Sequence, residues 1–275
     1  MDMLREVQLK ELEILQEIKR ICEKNNITYF LSCGTLLGAV RHQGFIPWDD
    51  DVDICMPYED YVRFLEACES QLNERFVLQN CYTEPNDHKA FSKIRMNQTA
   101  FLPPHYTKYH IHHGLPVDIF PLTGAPGNSF VQKIKRKLFS LSNYILDDNY
   151  LRSTYDKYSK EFGKGKMKLL FLFYRIPIRL RRHFYDFCLK RFLKPCAGRK
   201  NVAEIWWNMD FYPARIFESS VPMLFEGENF PAPAGYKEYL TIQYGDYMQP
   251  PPPEKRQGHG EMIIDLENDY KIYLE

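Results

Sequence analysis

The 275-residue sequence has no net charge, since 36 lysines and arginines offset 36 aspartates and glutamates. That balance argues against a generally basic, nucleic-acid-binding protein. No run of about 18 apolar residues occurs, so no segment is expected to span a bilayer as a helix. The opening stretch MDMLREVQLKELEILQEIKR is charged and helix-patterned, unlike a secretory signal. There is no CxxC pair. The seven cysteines, Cys22, Cys33, Cys55, Cys68, Cys81, Cys188 and Cys196, are odd in number and mostly stand among apolar neighbours. They read as reduced, buried thiols, and the expected place of action is the cytoplasm, with peripheral attachment at the inner face of a membrane. Repeats are absent, and Pro250–Pro253 is the sole low-complexity run.

What is present suits a folded domain with a proper core: 44% of residues are hydrophobic and 26% charged. Leu4, Val7, Ile14, Leu15, Ile18, Ile21 and Cys22 fall at helical spacing, and Asn25-Asn26 closes that helix. Ile27–Ser32 is β-branched and aromatic, which predicts a strand. Gly34-Thr35 turns the chain into a short helix over Leu36–Val40, and Arg41–Gly44 reads as a loop. A strand is expected at Asp51–Ile54 and a helix over 58–71. Further strands are expected near 76–81, 90–95, 99–102 and 115–122, the last closed by Pro121. Residues 128–197 read as mostly helical, and another helix is expected at Tyr236–Tyr244.

Asp51-Val52-Asp53-Ile54 carries the chemistry. On a strand, Asp51 and Asp53 share one face about 7 Å apart while Val52 and Ile54 point into the core. Carboxylates so placed repel one another unless a cation or a raised pKa relieves them. Val117-Asp118-Ile119 repeats the apolar-acid-apolar setting, and a neighbouring strand would bring Asp118 beside the pair. Hard oxygen ligands together with phosphate oxygens favour Mg²⁺, with Mn²⁺ an alternative. Upstream, Ser32-Cys33-Gly34-Thr35 ends a strand and starts a helix, where glycine permits close backbone approach and helix amides bind phosphate. This ordered set predicts an α+β fold, a nucleotidyltransferase-like mixed β-sheet flanked by helices, with a helical insertion. The parts are a catalytic core over 1–125, a basic helical insertion over 126–203, and a segment over 204–275 completing the catalytic domain.

The run YFLSCGTLLGAVRHQGFIPWDDDVDICMPYEDY, with FSKIRMNQT, GLPVDIFPL and YKEYLTIQYGDYM, closely resembles the LicD family, which includes fukutin and the fukutin-related protein. The resemblance covers roughly residues 10 to 125 and 225 to 260. Cys33 stands where relatives commonly carry a second glycine, and no loss of activity is expected from it. The resemblance implies transfer of a phosphoalkyl group onto a glycan. The group is often phosphocholine from CDP-choline and sometimes ribitol phosphate from CDP-ribitol. Asp51 and Asp53 match the family's metal-binding acids, Asp118 the later acid, and Gly34 and Thr35 the phosphate-contacting turn. Arg41 and His42 could meet donor phosphates, as could Lys93 and Arg95, which share one strand face; for the last two a surface salt-bridge role stands equally open. Asp118 is either a metal ligand or the general base. Other transferred units (ribitol phosphate, glycerol phosphate, phosphoethanolamine), true nucleotidyl transfer, and an inactive glycan- or membrane-binding protein remain as alternatives.

From Lys164 to Lys200 there are twelve Lys or Arg against Asp186 alone, interleaved with Leu169–Tyr174, Ile176, Ile178 and Leu180. That composition suits an anionic membrane surface bearing a lipid-linked acceptor, or a helical subdomain with a solvated basic face. No nucleic-acid motif accompanies it. His105, His110, His112 and His113 lack ordered zinc spacing. Trp206, Trp207, Phe211 and Tyr212 could cage a quaternary ammonium or simply fill the core. Arg256 and His259, beyond the proline run, read as part of a surface tail or as bordering the site.

Overall fold

The computed structural model describes residues 2–84, 86, 87, 89–146, 165, 172, 175–258 and 260–275. Most of the segment Leu169–Tyr174, and His259, lie outside them. Helix α1 (Met3–Asn25) buries Val7, Ile14, Leu15, Ile18, Ile21 and Cys22 on one stripe. It stops at Asn26, whose left-handed backbone (φ 52°) suits an asparagine cap. Strand β1 (Phe30–Leu31) is shorter than the expected strand, and α2 (Cys33–His42) is longer than the expected helix. Arg41 and His42 therefore sit in the last turn of α2 and not in a loop.

After β2 (Asp53–Pro57) and α3 (Tyr58–Gln71) come β3 (Phe76–Gln79), β4 (Ser92–Met96), β5 (Ala100–Leu102) and the long β6 (Pro116–Ala125). Helices α4 (Ser129–Leu146) and α5 (Ile178–Phe192) follow, then β7 (Asn201–Ile205), β8 (Met209–Pro213), the hairpin β9 (Ser220–Phe225) and β10 (Glu228–Pro233), α6 (Tyr236–Tyr244) and β11 (Ile263–Asp265). The fold is α+β. Its main sheet runs β1-β2-β6-β4-β3, with β7 and β8 continuing from β6.

Strand β6 is the spine. It pairs in parallel with β2 along one edge, and antiparallel along the other with β4 over its first half and β7 over its last. Pro121 does not end it. The Asp118 amide donates to Val52 O at 2.9 Å, toward β2. By strand alternation the N–H that Pro121 lacks would face the other edge, where pairing with β4 ends at Ile119 and pairing with β7 starts at Leu122. β7 begins at Asn201, so the chain re-enters the sheet within the range expected to be insertion.

Ile54, Met56, Val117, Ile119, Ile94 and Met96 join α1 and α3 in the main core. The alternate residues Cys55 and Phe120 face the opposite side with Phe30 and Phe91. Sequence parity thus puts Asp53 and Asp118 on the face away from α1 and α3. Helix α2 packs tightly on the following turn: a Cβ on Gly38 would lie 2.5 Å from Gly44 O and 3.2 Å from Ile46 N. Both are backbone atoms with little room to yield. Gly38→Ala is expected to cost about 1–3 kcal/mol of stability, as overpacking does, and equilibrium unfolding in urea measures it.

Candidate active site

Asp53 on β2 and Asp118 on β6 are register partners across the parallel pair. Lys93 on β4 is the register partner of Asp118 across the next pair. Three charged side chains therefore form a row across three adjacent strands, and Lys93 Nζ donates to Asp118 Oδ1. Asp51 lies just before β2 and not on it, yet it lines the same cleft of about 470 Å³ as Asp49, Asp53 and Asp118. Cys33 and Gly34 form another part of the wall, and Phe91, Phe120, Trp206, Trp207 and Tyr244 supply an aromatic side.

The N-terminal turn of α2 abuts the acids. Cys33 is held at φ 45°, a left-handed conformation that favours glycine. A Cβ on Gly34 would stand 2.6 Å from Asp49 Oδ2, so a side chain there would displace this carboxylate from the helix end. Thr35 is buried, and its hydroxyl accepts from the Asp53 amide at 2.8 Å. It fixes the start of β2 and does not line the cleft.

Burial, followed by the charges of Asp51, Asp118 and Asp49, pushes the Asp53 carboxyl well above the usual carboxylate range. Burial also lowers the Lys93 ammonium, against the pull of Asp118. Four carboxylates around one cleft are a donor set suited to a hard divalent cation. The ligands are not assembled into a cage: among the described residues no group of three or more His, Cys, Asp or Glu is gathered closely enough to hold a metal ion as it stands. Lys93 instead partners Asp118.

A family model described as LicD/FKTN/FKRP, nucleotidyltransferase domain, matches residues 26–142, the span that holds Asp51, Asp53, Lys93 and Asp118. The lipopolysaccharide cholinephosphotransferase LicD of Haemophilus influenzae is 28% identical over 93% of this chain and 95% of its own length. Residues 26–142 thus carry a LicD-family domain. Two uncharacterized proteins, from Rickettsia typhi and Rickettsia prowazekii, are 50% identical over 52 and 50 residues, 19% and 18% of this chain and 17% and 19% of theirs.

Within this LicD-family site the other expected residues divide. Arg41 lines an adjoining cleft of about 340 Å³ that shares Gly34, Asp49 and Tyr244 with the acidic one. Its guanidinium donates to Tyr247 O at 2.9 Å. His42 is exposed and accepts from Arg41 Nε at 3.0 Å. Arg95 shares the strand face of Lys93 but does not reach the cleft: it is buried and donates to Gln79 Oε1 and to Gly114 O. Arg95 stands opposite Pro116, two residues along β6 from Asp118 and beyond the stretch that pairs with β2, which explains the difference. Trp206 and Trp207 line the acidic cleft, whereas Tyr212 is buried with its hydroxyl accepting from Gln243, and Phe211 packs beneath Arg136. His112 and His113 are buried and bonded to Asn97 and the Tyr109 carbonyl, and burial drops them to about 3 and about 4. Arg256 stacks on Trp48, 5.2 Å from the ring centroid, at the edge of the adjoining cleft.

Two acids escaped the sequence reading. Glu204 on β7 is fully buried; Ser32 Oγ donates to it, as does Tyr239 at 2.7 Å, and burial pushes it up to about 7. Ser32 in turn donates its amide to Asp53 O at 3.1 Å, so this network braces the strand that presents the acids. Ala203-Glu204-Ile205 has the apolar-acid-apolar pattern of Val117-Asp118-Ile119, the signal that would have found it. Glu11 on α1 is fully buried, and neither carboxyl oxygen has a hydrogen-bond partner. It interrupts the apolar stripe at i+4 from Val7 and i−3 from Ile14, which is its own signal in the sequence.

Proposed function

We propose that this LicD-family protein transfers phosphocholine, or a similar phosphoalkyl group, from a CDP-activated donor to a hydroxyl of a cell-surface glycan precursor, releasing CMP. The observation that carries the reading is the row Asp53, Asp118, Lys93 across three strands, beside the N-terminal turn of α2. The likeness to a lipopolysaccharide cholinephosphotransferase over 93% of the chain supports the transferred group and a glycan acceptor, lipid-linked in this reading.

Asp51, Asp53 and Asp118 would hold Mg²⁺, or Mn²⁺ in its place. When bound, the ion neutralises donor phosphate oxygens and stabilises the charge that develops on them. The chain's own residues do the rest. The acceptor oxygen attacks the phosphorus bearing choline, the bond to the CMP oxygen breaks, and the hydroxyl proton passes to a carboxylate of the row. The α2 N-terminus, opened by Gly34, offers amides to the phosphates. Lys93 offsets negative charge at Asp118, and Arg41 supplies positive charge toward the departing CMP. Thr35 and the Ser32–Glu204–Tyr239 network keep Asp53 in place.

Incubation with Mg²⁺ and CDP-choline, CDP-ethanolamine, CDP-glycerol or CDP-ribitol tests the reading by thermal stabilisation and by product mass. A phosphoalkyl gain with CMP release is expected. A nucleotide gain would instead establish nucleotidyl transfer, the activity in the description of the matching family model. Absence of any stabilisation or product would return the chain to the binding-protein alternative.

In this reading Trp206 and Trp207, which line the cleft, take the quaternary ammonium of choline. Replacing both by alanine is expected to weaken use of CDP-choline by about tenfold, the scale of a cation–π contact, with use of CDP-glycerol little changed. Steady-state kinetics with both donors checks this.

A further inference from the structure

Helices α4 and α5 pack on each other through Phe139, Leu146, Tyr185, Cys188, Leu189 and Phe192. Each also carries a second apolar stripe that the packing leaves uncovered. On α4 it is Phe130, Ile134 and Leu138 at i, i+4 and i+8, with Val131 beside them; Phe130 is 69% exposed. On α5 it is Leu180, Phe184 and Phe187 at i, i+4 and i+7; Phe187 is 67% exposed. At 100° per residue these stripes stand about 120° around each helix from its packed face. Single exposed apolar residues need no explanation, but two aligned stripes on neighbouring helices do.

The charge around them is one-sided. Residues 129–146 and 175–200 hold thirteen Lys or Arg against Asp186 alone, so the remainder of this neutral chain is negative by twelve. Lys133 and Lys137 flank the α4 stripe; Arg179, Lys190 and Arg191 are exposed around that of α5. No helix among the described residues is long and apolar enough to cross a membrane. A partner must therefore accept apolar side chains and positive charge together, from a surface lying alongside both helices.

We propose that this face of α4 and α5 docks on the surface of an anionic lipid bilayer, the apolar stripes entering the acyl boundary and the lysines and arginines meeting the headgroups. Charge complementarity selects this occupant. A second copy of the chain would set two strongly basic faces against each other, and nucleic acid would leave the aliphatic Val131, Ile134, Leu138 and Leu180 without a partner. The proposal does not depend on the transfer reaction.

Co-sedimentation of the full chain with vesicles tests it. The vesicles are phosphatidylcholine alone, or phosphatidylcholine with about 30% phosphatidylglycerol. Binding to the anionic vesicles at low salt is expected, with loss at high salt as screening takes hold. The pair Phe130→Ser with Phe187→Ser, and separately Lys133→Glu with Lys137→Glu, should each weaken binding about tenfold or more, with unchanged thermal unfolding showing that the variants fold. Failure to bind anionic vesicles, equal binding to neutral ones, or indifference to both variant pairs overturns the proposal. So does a dimer on gel filtration that the phenylalanine variant dissociates, since the face would then belong to a second copy.

Discussion

Asp53→Asn is expected to lower turnover about a thousandfold or more, the scale on which loss of a charge-stabilising group acts, while making the metal-free protein more stable. The carboxyl is buried on the site face of β2, and its charge is opposed by burial and by Asp51, Asp118 and Asp49. A group whose folded pKa is raised contributes stability that is full below its unfolded pKa, near 3.8 for this aspartate, and lost as pH rises through the folded value. Asparagine keeps the shape and removes the loss. Its melting temperature should therefore exceed that of the parent at neutral pH without divalent ions, and the gap should close as pH falls. Added Mg²⁺ should stabilise the parent and leave Asp53→Asn unmoved. Near-normal turnover in the variant, or equal stabilisation of both proteins by Mg²⁺, would remove Asp53 from the site.

Glu11→Leu carries the second large effect, a gain of about 1–3 kcal/mol in stability, the penalty of leaving a buried polar group unsatisfied. Glu11 sits fully buried on α1 beneath the acidic turn, where Gln8 donates to Asp49 O at 2.9 Å. Burial first, then the charges of Asp51, Asp50, Asp49 and Asp118, push its carboxyl well above the ordinary range. The sign is the same as for Asp53: stability present at acid pH is lost as pH rises through the raised value. The gain from leucine, similar in volume and without charge, should thus be larger at neutral than at acid pH. Urea unfolding at several pH values measures it. A variant no more stable than the parent would mean that the carboxyl has a compensating partner.

These two acids illustrate how much of the molecule can be read without coordinates. Asp53 was legible because an acid between Val52 and Ile54 on a strand must face away from the core. Glu11 stood in an equally plain pattern, a carboxylate inside a helical apolar stripe, but its neighbours in sequence give no hint of the aspartates it meets forty residues later. Arg95 shows the reverse: its alternation with Lys93 puts both on the site face, yet Gln79 and the Gly114 carbonyl, from distant stretches, take its guanidinium. Pro121 suggested a strand end because its amide cannot bond; a gap between two partner strands made that immaterial.

The sequence by itself determined the helix α1, the turn Ser32–Thr35 entering α2, the inward and outward faces of β2 and β6, and the family to which these motifs point. All of these depend on residues within a few positions of one another, where side-chain period and backbone preference act directly. Tertiary structure alone decided that β2 and β6 align in parallel with Asp53 beside Asp118, that Lys93 completes the row, and that Glu204 braces it from β7. Those outcomes depend on strand register between segments far apart in the chain. Burial of whole apolar faces sets that register, and no local pattern encodes it.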